Sequence, residues 1–513
     1  MADAVLGLDL GTTGIKAVLV AFGQHGCQVL GESVAAYPLS SPQPNWSEQN
    51  PADWWQGTVA AIREVVQRSA IHPDRIAGIA LSGQMHGATL LDDRGSVLRP
   101  CILWNDQRSS AQCTAITERV GLDNLIRWVA NPALAGFTAP KLLWVREHEP
   151  GVFRRTASIL LPKDYLNFLL TGCIVTEPSD ASGTLLFDVA RRCWSASMLE
   201  ALDISPDLLP PVIGSTEIVG GLTARAAQLT GLRAGTPVIA GGADNACAAL
   251  GNGVLKAGQT GVSLGTSGTV IAPSAQPAPD PLGRLHTFCH VTPDTWYLMG
   301  VVLSAGGSLR WFRDALAPEI QSAASAGNPN AYDILLDEAM GIPAGSEGLI
   351  FLPYLTGERT PHGDPHARGV FFGLSPRHSR AHLVRSILEG VCFALGDSVG
   401  IMRDLGLPIA GVRATGGGAR SILWRQILAD VLAAPVRFTT ADSGPAFGAA
   451  ILAATGAGIL SSVSEVDGFI AAGEQVEPDP DSSSRYREYQ QVFDSLYPAL
   501  QTEFAALAQL PAP

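Results

Sequence analysis

The chain has 513 residues, which exceeds the roughly 250 to 300 at which one hydrophobic core stops growing. Two large domains are therefore expected. A hydrophobic content of 46 % with only 16 % charged residues excludes disordered and fibrous classes, because such a chain can bury abundant apolar surface. The formal net charge of -13 opposes binding to nucleic acid or to an anionic membrane, so neither is an expected partner.

Cysteine usage and the N-terminus both indicate a cytoplasmic protein. The eight cysteines form no CxxC pair and no dense framework, which fits reduced thiols. Asp3 and Asp9 interrupt the N-terminal apolar run, and no basic leader precedes it, so a signal peptide is not expected. The longest uncharged apolar stretch, residues 443–464, contains Pro445 and predicts a buried helix rather than a membrane span.

The first predicted element is a β-hairpin, with strands over Val5–Leu10 and Ile15–Phe22. Its turn, Gly11-Thr12-Thr13-Gly14, offers unhindered backbone N–H groups and two hydroxyls that can surround a phosphate. An ordinary hairpin turn is the alternative. The candidate phosphate-binding residues are Gly11, Thr12, Thr13 and Lys16.

Asp9 lies within the apolar strand of this hairpin. An ionised carboxylate there costs several kcal/mol unless another group compensates it. A bound Mg²⁺ and the Lys16 ammonium across the hairpin are two such groups, and a partly exposed position at the strand end is a third explanation. Asp9 is accordingly a candidate metal ligand, acting directly or through a metal-bound water.

Two polar stretches follow the predicted strand Ile76–Leu81 and could recognise a sugar. Polyol recognition needs mixed hydrogen-bond donors and acceptors together with an aromatic platform. A turn and a core tryptophan would explain the same stretches without a ligand. The candidate sugar-binding residues here are Gln84, Met85, His86, Trp104 and Asp106.

Asp244 begins a predicted alanine-rich helix that follows the strand Pro237–Ala240. A helix N-cap is a common role for Asp and is the simpler interpretation. The two preceding glycines, however, leave room for a ligand. The helix dipole would also favour the ionised carboxylate that a hydroxyl-deprotonating base requires. Asn245 beside it is a candidate sugar ligand.

A second predicted hairpin, Gly261–Leu264 and Thr269–Ala272, repeats the first. The two LGT motifs stand 254 residues apart (264 minus 10), about half of the chain. Duplication of a whole domain explains this better than two unrelated turns. We expect an N-terminal domain over residues 1–245 and a C-terminal domain over 246–513, with Gly265 and Thr266 as a second phosphate loop.

The predicted strand Val412–Thr415 leads through three glycines, Gly416, Gly417 and Gly418, into a helix that Ser421 caps. Glycines between a strand and a helix allow a nucleotide to lie against exposed backbone, so the three glycines and Ser421 are candidate ATP-binding residues. A dinucleotide fingerprint is the rival interpretation. The motif GxGxxG is not completed, and no Walker A sequence is found in the chain.

Three further patterns are weaker. Gly261–Gly265 matches the GxSxG hydrolase elbow, but Ser263 precedes another predicted strand rather than a helix. The stretch His286–His290 is short of a convincing metal-ligand set, so core or loop histidines are favoured. The tail beyond Gln475 predicts a surface turn and a terminal helix without assigned chemistry.

Together these motifs make the sequence similar to the FGGY carbohydrate kinases, and within that family to the xylulokinase branch. The resemblance spans nearly the whole chain. Ala243 departs from the family pattern, in which glycine often precedes the aspartate, and Thr13 replaces a frequent serine. The matching segments are Asp9–Gly14, Trp46–Gln49 with Asp53–Trp55, Gly83–Gly87, Leu103–Asp106, Phe137–Trp144, Leu161–Tyr165, Asp244–Asn245, Leu264–Gly268, Leu352–Tyr354 with Gly357–Pro361, Gly369–Glu389 and Gly416–Arg420.

The resemblance implies an α/β fold of two duplicated domains of the actin, hexokinase and Hsp70 type (ribonuclease H-like) around a central cleft. It also implies transfer of the ATP γ-phosphoryl group to D-xylulose, with Asp244 as base and Asp9 orienting the phosphates through Mg²⁺. A homodimer is expected on the same basis. The alternatives are a family member that acts on another ketose or polyol, such as ribulose, L-xylulose or glycerol, and a non-catalytic nucleotide-gated sugar sensor.

Overall fold

The computed structural model describes residues 3–23, 26–320, 330–439, 444–470 and 472–510. Two large mixed β-sheets organise them. The strands of the first sheet are β1 Ala4–Leu10, β2 Gly14–Gly23, β3 Gly26–Ala36, β4 Ile76–Gly83, β5 Ile218–Gly221 and β6 Pro237–Ala243. The strands of the second sheet are β7 Gly258–Leu264, β8 Gly268–Ser274, β9 His286–Cys289, β10 Trp296–Val302, β11 Ile409–Thr415, β12 Val436–Thr439 and β13 Ala472–Val476.

The two sheets share one topology. The first has the order β5-β6-β4-β1-β2-β3, and the second has the order β9-β10-β8-β7-β11-β12-β13. In both, a central hairpin (β1-β2 or β7-β8) is antiparallel, and its first strand pairs in parallel with a later strand, β4 or β11. This correspondence supports the predicted duplication, since five strands match in order and direction.

The described helices cover the faces of these sheets, and short two-stranded ribbons connect them. The helices are α1 Pro51–Ser69, α2 Ser110–Val120, α3 Leu122–Val129, α4 Thr138–His148, α5 Pro150–Arg155, α6 Pro162–Thr171, α7 Pro178–Ala181, α8 Ala196–Leu202, α9 Ala224–Thr230, α10 Asp244–Gly251, α11 Gly306–Leu316, α12 Ala331–Met340, α13 Arg380–Asp404, α14 Ile422–Leu432, α15 Gly444–Gly456 and α16 Pro480–Ala508. The ribbons pair Glu48–Gln49 with Cys101–Ile102, Thr89–Leu91 with Ser158–Leu160, Phe187–Asp188 with Cys193–Trp194, and Ile350–Leu352 with Val370–Phe372.

Burial explains which strands are central. Six of the seven residues of β1 are buried, as expected for a strand covered on both faces, whereas the edge strand β3 exposes Val29 and Val34. The predicted hairpins and the helix capped by Ser421 are confirmed. So is the terminal helix, α16, whose buried aromatic residues pack against the core of the second sheet.

Residues 444–456 of the apolar stretch predicted as a buried helix form α15, which ends before the predicted limit at 464; position 443 lies outside the described residues. This helix packs on β1 of the first sheet. A side chain at Gly7 would place its Cβ 2.0 Å from the Ala446 carbonyl oxygen, so glycine is required for this approach. An element from the C-terminal half therefore covers the N-terminal sheet, and the domain boundary at 245/246 stays a prediction. Within the described residues, no helix is long and apolar enough to span a bilayer.

Candidate active site

The first hairpin turn is held by backbone contacts. The Gly11 N–H donates to the Gly14 carbonyl at 3.1 Å, and the Tyr37 hydroxyl donates to the Gly11 carbonyl. The Gln49 amide donates to the Thr12 carbonyl at 2.6 Å. These bonds use the carbonyl oxygens of the turn, so its remaining N–H groups can face a ligand.

The Thr12 hydroxyl connects this turn to two predicted sugar ligands. It accepts from the Trp104 indole N–H at 3.0 Å and donates to the Gln84 side-chain oxygen at 3.2 Å. Gln84 is fully buried and donates in turn to Gln49 at 3.0 Å. Gln84 and Trp104 thus support the first hairpin turn, while Trp104 keeps 38 % of its surface exposed.

Asp9 precedes this turn and lacks a full set of partners. Its Oδ1 atom is buried without a hydrogen bond, and Lys16, opposite it in the hairpin, lies 3.0 Å from Glu32 instead. Burial raises the pKa of Asp9 to about 6, although the Ser82 hydroxyl and the Lys16 charge partly offset this. Lys16 therefore gives Asp9 only partial compensation, which leaves an oxygen for a cation.

Asp244 is the first residue of α10, and Ala243 occupies the N-cap position. The Asp244 Oδ1 atom accepts from the Asn245 backbone N–H at 2.7 Å and from the Asn245 side-chain amide at 2.9 Å. Burial, followed by the charge of Asp9, raises the pKa of Asp244 to about 7. The two carboxyls therefore lie within electrostatic reach of each other. Asp244 is not the N-cap residue of α10, although its carboxylate accepts one backbone N–H of the first helical turn.

His86, which follows Met85 in the chain, has a defined tautomer. Its Nδ1 atom is 2.5 Å from the Gly183 carbonyl, and burial lowers its pKa to about 3, so the ring is neutral and donates through Nδ1. Nε2 is consequently a hydrogen-bond acceptor. The ring packs on Phe137 at 4.7 Å, and the Asn245 amide reaches the Met85 sulfur at 3.8 Å.

A buried lysine supports the backbone of His86, which has a left-handed φ of 70°. The Lys141 ammonium donates to the His86 carbonyl at 2.8 Å and to the Gly136 carbonyl at 2.7 Å. Burial lowers the pKa of Lys141 to about 7. Sequence reasoning did not single out this residue, because its partners are backbone atoms.

Asp106, a predicted sugar ligand, has no carboxylate oxygen available for a ligand. It is fully buried, and its oxygens accept from the Ser47 N–H at 2.6 Å and from the Arg108 guanidinium at 2.7 Å. The Arg108 N–H takes the remaining oxygen at 2.9 Å. No oxygen remains for a sugar hydroxyl, so the geometry does not support the predicted sugar contact.

The second hairpin turn is held by backbone groups at the start of α11. The Gly306 N–H donates to the Gly265 carbonyl at 2.8 Å, while the Ala305 and Gly307 N–H groups both donate to the Thr266 carbonyl at 2.9 Å. A Cβ at Gly306 would lie 2.6 Å from the Gly265 oxygen. The Gly306-Gly307 pair that begins α11 is a sequence signal that could have identified this contact.

The three glycines after β11 have different roles. Gly416 has a φ of 88°, and a Cβ there would lie 2.7 Å from the Leu264 carbonyl oxygen. A Cβ at Gly418 would meet the Trp424 ring at 2.8 Å, whereas nothing lies within 4 Å of one at Gly417. The Ser421 hydroxyl accepts from the Trp424 N–H at 3.2 Å and caps α14.

Two cavities meet at this glycine loop. One, of about 460 Å³, opens beside the second turn, and the other, of about 440 Å³, lies between α10 and the second sheet. The residues that line the first are Leu264, Gly265, Thr266, Gly306, Leu309, Arg310, Asn330, Tyr332, Asp333, Leu336, Gly417, Gly418, Arg420, Ser421 and Trp424. The second includes Asn245 and Gly417, so it connects the neighbourhood of Asp244 to the glycine loop.

Models of known families match both halves of the chain. Residues 4–251 match the N-terminal domain of the FGGY family of carbohydrate kinases, and residues 261–457 match its C-terminal domain. The chain belongs to the FGGY family of carbohydrate kinases. The predicted resemblance and the two-domain α/β fold class are thereby confirmed.

Several FGGY relatives cover nearly the whole chain. It is 42 % identical to the xylulose kinase of Bacillus subtilis, which covers 96 % of each chain. It is 41 % identical to the xylulose kinase of Escherichia coli, over 96 % of this chain and 99 % of that one. The crystal structure of xylulose kinase from Rhodospirillum rubrum superposes with a TM-score of 0.90 at 35 % identity, covering 98 % of this chain and 100 % of that chain.

The weaker patterns have no place in this FGGY kinase site. Ser263 lies inside strand β7 rather than on a turn before a helix, which excludes a hydrolase elbow. His286 and His290 are buried and contact the Asn131 oxygen and the Val254 carbonyl. Across the described parts of the chain, no group of three or more metal-ligating side chains is present.

Proposed function

We propose that this FGGY kinase uses ATP to phosphorylate D-xylulose, forming D-xylulose 5-phosphate and ADP. The xylulose kinases at about 40 % identity support the choice of sugar. The observation that carries the chemistry is the Asn245 amide, which donates to the Asp244 carboxylate and also reaches the sulfur of Met85, the residue next to His86. In this proposal the side chains of Asn245 and His86 bind sugar hydroxyls, and Met85 packs beside them.

Asp244 is the proposed base. The terminal sugar hydroxyl gives its proton to the Asp244 carboxylate while its oxygen bonds to the γ-phosphorus. The bond between that phosphorus and the β-γ bridging oxygen breaks, and ADP leaves. Burial and Asp9 raise the pKa of Asp244 to about 7, which suits a base near neutral pH. Positioning supplies most of the remaining rate enhancement in phosphoryl transfer.

Mg²⁺ fits the carboxylates of this site as a cofactor of ATP. It usually keeps several waters and binds through one or two carboxylates together with substrate phosphates. Asp9 offers a buried oxygen without a partner, so Asp9 would hold the ion directly or through a water. When bound, the ion would supply positive charge to the phosphates and lower the pKa of Asp9.

The nucleotide is proposed to lie between the two turns and the glycine loop. The N–H groups of Thr12, Thr13 and Gly265–Thr266 would bind phosphates, while the Gly11 N–H closes the first turn by donating to Gly14. The cavity of about 460 Å³ beside Thr266 would take the adenosine, against the open backbone of Gly417. Ser421 and Lys16 stand at the edges of this region, the first as a helix cap and the second paired with Glu32.

We also propose the division at 245/246, a cytoplasmic location and a homodimer. The first is supported by the two sheets, whose strands end at Ala243 and begin at Gly258. Eight free cysteines support a reducing location. Sedimentation of the purified protein measures the oligomeric state.

An ADP-release assay over a sugar panel, with product identification by ³¹P and ¹³C NMR, tests the function. The panel contains D-xylulose, L-xylulose, D-ribulose, L-ribulose, glycerol and gluconate. We expect the highest kcat/KM for D-xylulose, with phosphate on its C5 oxygen. Turnover of a different sugar alone would contradict the substrate, and nucleotide binding without turnover of any sugar would favour a sensor.

A further inference from the structure

The segment of residues 177–184 contacts both sides of the proposed sugar site. Its Gly183 carbonyl accepts from His86 Nδ1 at 2.5 Å. Its Ser179 hydroxyl accepts from the Ala243 N–H at 2.9 Å, on the residue immediately before the proposed base. One short stretch of chain therefore orients a sugar-binding ring and the peptide that carries the reacting carboxylate.

Ser179 is fixed by a buried glutamate. Its hydroxyl donates to Glu177 Oε1 at 2.7 Å, so its oxygen lone pairs face the Ala243 N–H. Glu177 is completely buried and also accepts from the Ser179 and Asp180 N–H groups at 2.9 and 2.8 Å and from the Ser215 hydroxyl at 2.7 Å. The carboxylate is thus fully hydrogen-bonded, which restricts Ser179 to one orientation.

A buried lysine lies among three carboxyl groups of this network. The Lys163 ammonium lies 2.5 Å from Asp164, 3.7 Å from Asp180 and 3.9 Å from Glu177. All four side chains are at most 1 % exposed. A buried ionic network contributes little net stability, but it imposes a defined geometry on the groups that it binds.

The segment is also tied to the second sheet. The Ser182 hydroxyl donates to the Ser179 carbonyl at 2.8 Å and accepts from the Cys289 N–H, in strand β9, at 3.3 Å. The segment therefore has fixed contacts with both sheets as well as with the sugar site. These bonds to both sheets fix the position of the segment.

We propose that Ser179 is a positioning residue for phosphoryl transfer. It holds the Ala243 peptide so that Asp244 stays at a constant distance from the sugar hydroxyl that His86 helps to orient. Small displacements of a reacting group lower the rate strongly, because the reactive geometry is narrow. This inference rests on the proposed function, in which Asp244 is the base.

The test compares Ser179→Ala with Ser215→Ala. Each removes one hydroxyl donor to Glu177, but only Ser179→Ala removes the acceptor of the Ala243 N–H. We expect Ser179→Ala to lower kcat with D-xylulose about 10- to 100-fold, while KM for ATP changes by less than about twofold. Ser215→Ala should lose at most about threefold in kcat. Thermal unfolding and nucleotide titration verify that both variants fold.

Different outcomes overturn the positioning role and the proposed function. A kcat for Ser179→Ala within about twofold of wild type, or an equal loss in Ser215→Ala, overturns the positioning role. A parallel loss of ATP affinity and thermal stability in Ser179→Ala alone also overturns it, since that is a general structural effect. If instead Asp244→Asn turns over normally, or the wild-type chain phosphorylates no sugar of the panel, the proposed function itself fails.

Discussion

The two hairpin turns share a sequence pattern and a topology, yet they are supported in different ways. The first turn is surrounded by side chains, with Trp104 and Gln84 both bonded to the Thr12 hydroxyl. The second is held by backbone N–H groups from the start of α11, bonded to the Gly265 and Thr266 carbonyls. The first turn is thereby connected to the proposed sugar site, and the second borders the cavity proposed to hold the nucleotide.

The residue before each turn shows the same divergence. At the offset of 254 residues, Asp9 corresponds to Ser263 (9 plus 254), so the duplicated scaffold has a carboxylate in one half and a hydroxyl in the other. Duplication therefore explains the hairpins, while side-chain differences explain why each half has its own task. Paired substitutions at equivalent positions of the two turns can separate the contribution of the shared hairpin from that of its side chains.

The largest effect is expected from Asp9→Asn compared with Ser263→Ala. Asp9→Asn removes the proposed ligand for the metal ion and should lower kcat at least about 100-fold, comparable to loss of an electrostatic catalytic group. Ser263→Ala should change kcat less than about threefold. Steady-state kinetics over a Mg²⁺ titration measure both. Similar losses in the two variants would contradict the asymmetry.

The next effect concerns the second turn. Gly306→Ala places a Cβ 2.6 Å from the Gly265 oxygen and should displace the turn, raising KM for ATP about tenfold with little change for D-xylulose. Gly400→Ala is the matched control, because no atom outside its own helix lies within 4 Å of that Cβ. An unchanged KM for ATP in Gly306→Ala would remove the second turn from the nucleotide site.

The pH dependence should report the carboxyls near the first turn. Burial raises the pKa of Asp9 to about 6 and of Asp244 to about 7, and the proposed base acts when ionised. Activity should therefore approach its maximum above pH about 8 and fall as the pH decreases through 7 to 6. Measurements of kcat/KM from pH 5.5 to 9 check this. A profile that stays flat down to pH 5.5 would oppose Asp244 as base.

The raised pKa of Asp244 also affects stability. The same rise in pH that ionises the proposed base destabilises the folded protein. Because the folded pKa of Asp244 exceeds the usual value of 3.8, its ionisation destabilises the folded protein above that value, most fully above pH 7. Asp244→Asn should accordingly raise the unfolding temperature at pH 8 by a few degrees, with a smaller gain at pH 5. Calorimetry at the two pH values measures the difference, and a lower unfolding temperature at pH 8 would refute it.

The smallest expected effect is a difference in stability between substitutions at Thr12 and Thr266, which occupy equivalent positions in the two turns. Thr12→Val removes the partner of Trp104 and of buried Gln84, which should cost about 1 to 2 kcal/mol. Thr266 is exposed, so Thr266→Val should leave the unfolding temperature unchanged. Thermal unfolding of both variants is the measurement. Equal stability of the two would mean that the Thr12 contacts do not support the first turn.

The locally specified parts of the molecule were predictable from sequence. The two Gly-Thr turns, the Ser421 cap and the helix start at Asp244 each depend on a few adjacent residues. The partners of Thr12 were not predictable, since Trp104 is 92 residues away and Gln84 is 72. Composition favoured a sugar contact for both, but only the folded arrangement brings them to the phosphate loop.

The contacts of buried polar side chains were the other feature that could not be predicted from the sequence. Asp106 looked available for a sugar because its neighbours are polar, yet Arg108 and Ser47 occupy its oxygens. Conversely, Glu177 and Ser179 gave no motif, because their importance comes from contacts with Ala243 and with each other. Sequence patterns identify which groups could react, whereas the fold decides which of them are free.

The most direct measurement of the central claim is phosphoryl transfer by Asp244→Asn. We expect this variant to bind ATP with unchanged affinity and to form D-xylulose 5-phosphate at least about 100-fold more slowly than wild type, as for loss of a catalytic base. Rapid-quench single-turnover assays with ³²P-labelled ATP, together with calorimetric nucleotide titration, provide both quantities. A single-turnover rate equal to that of wild type would contradict the account.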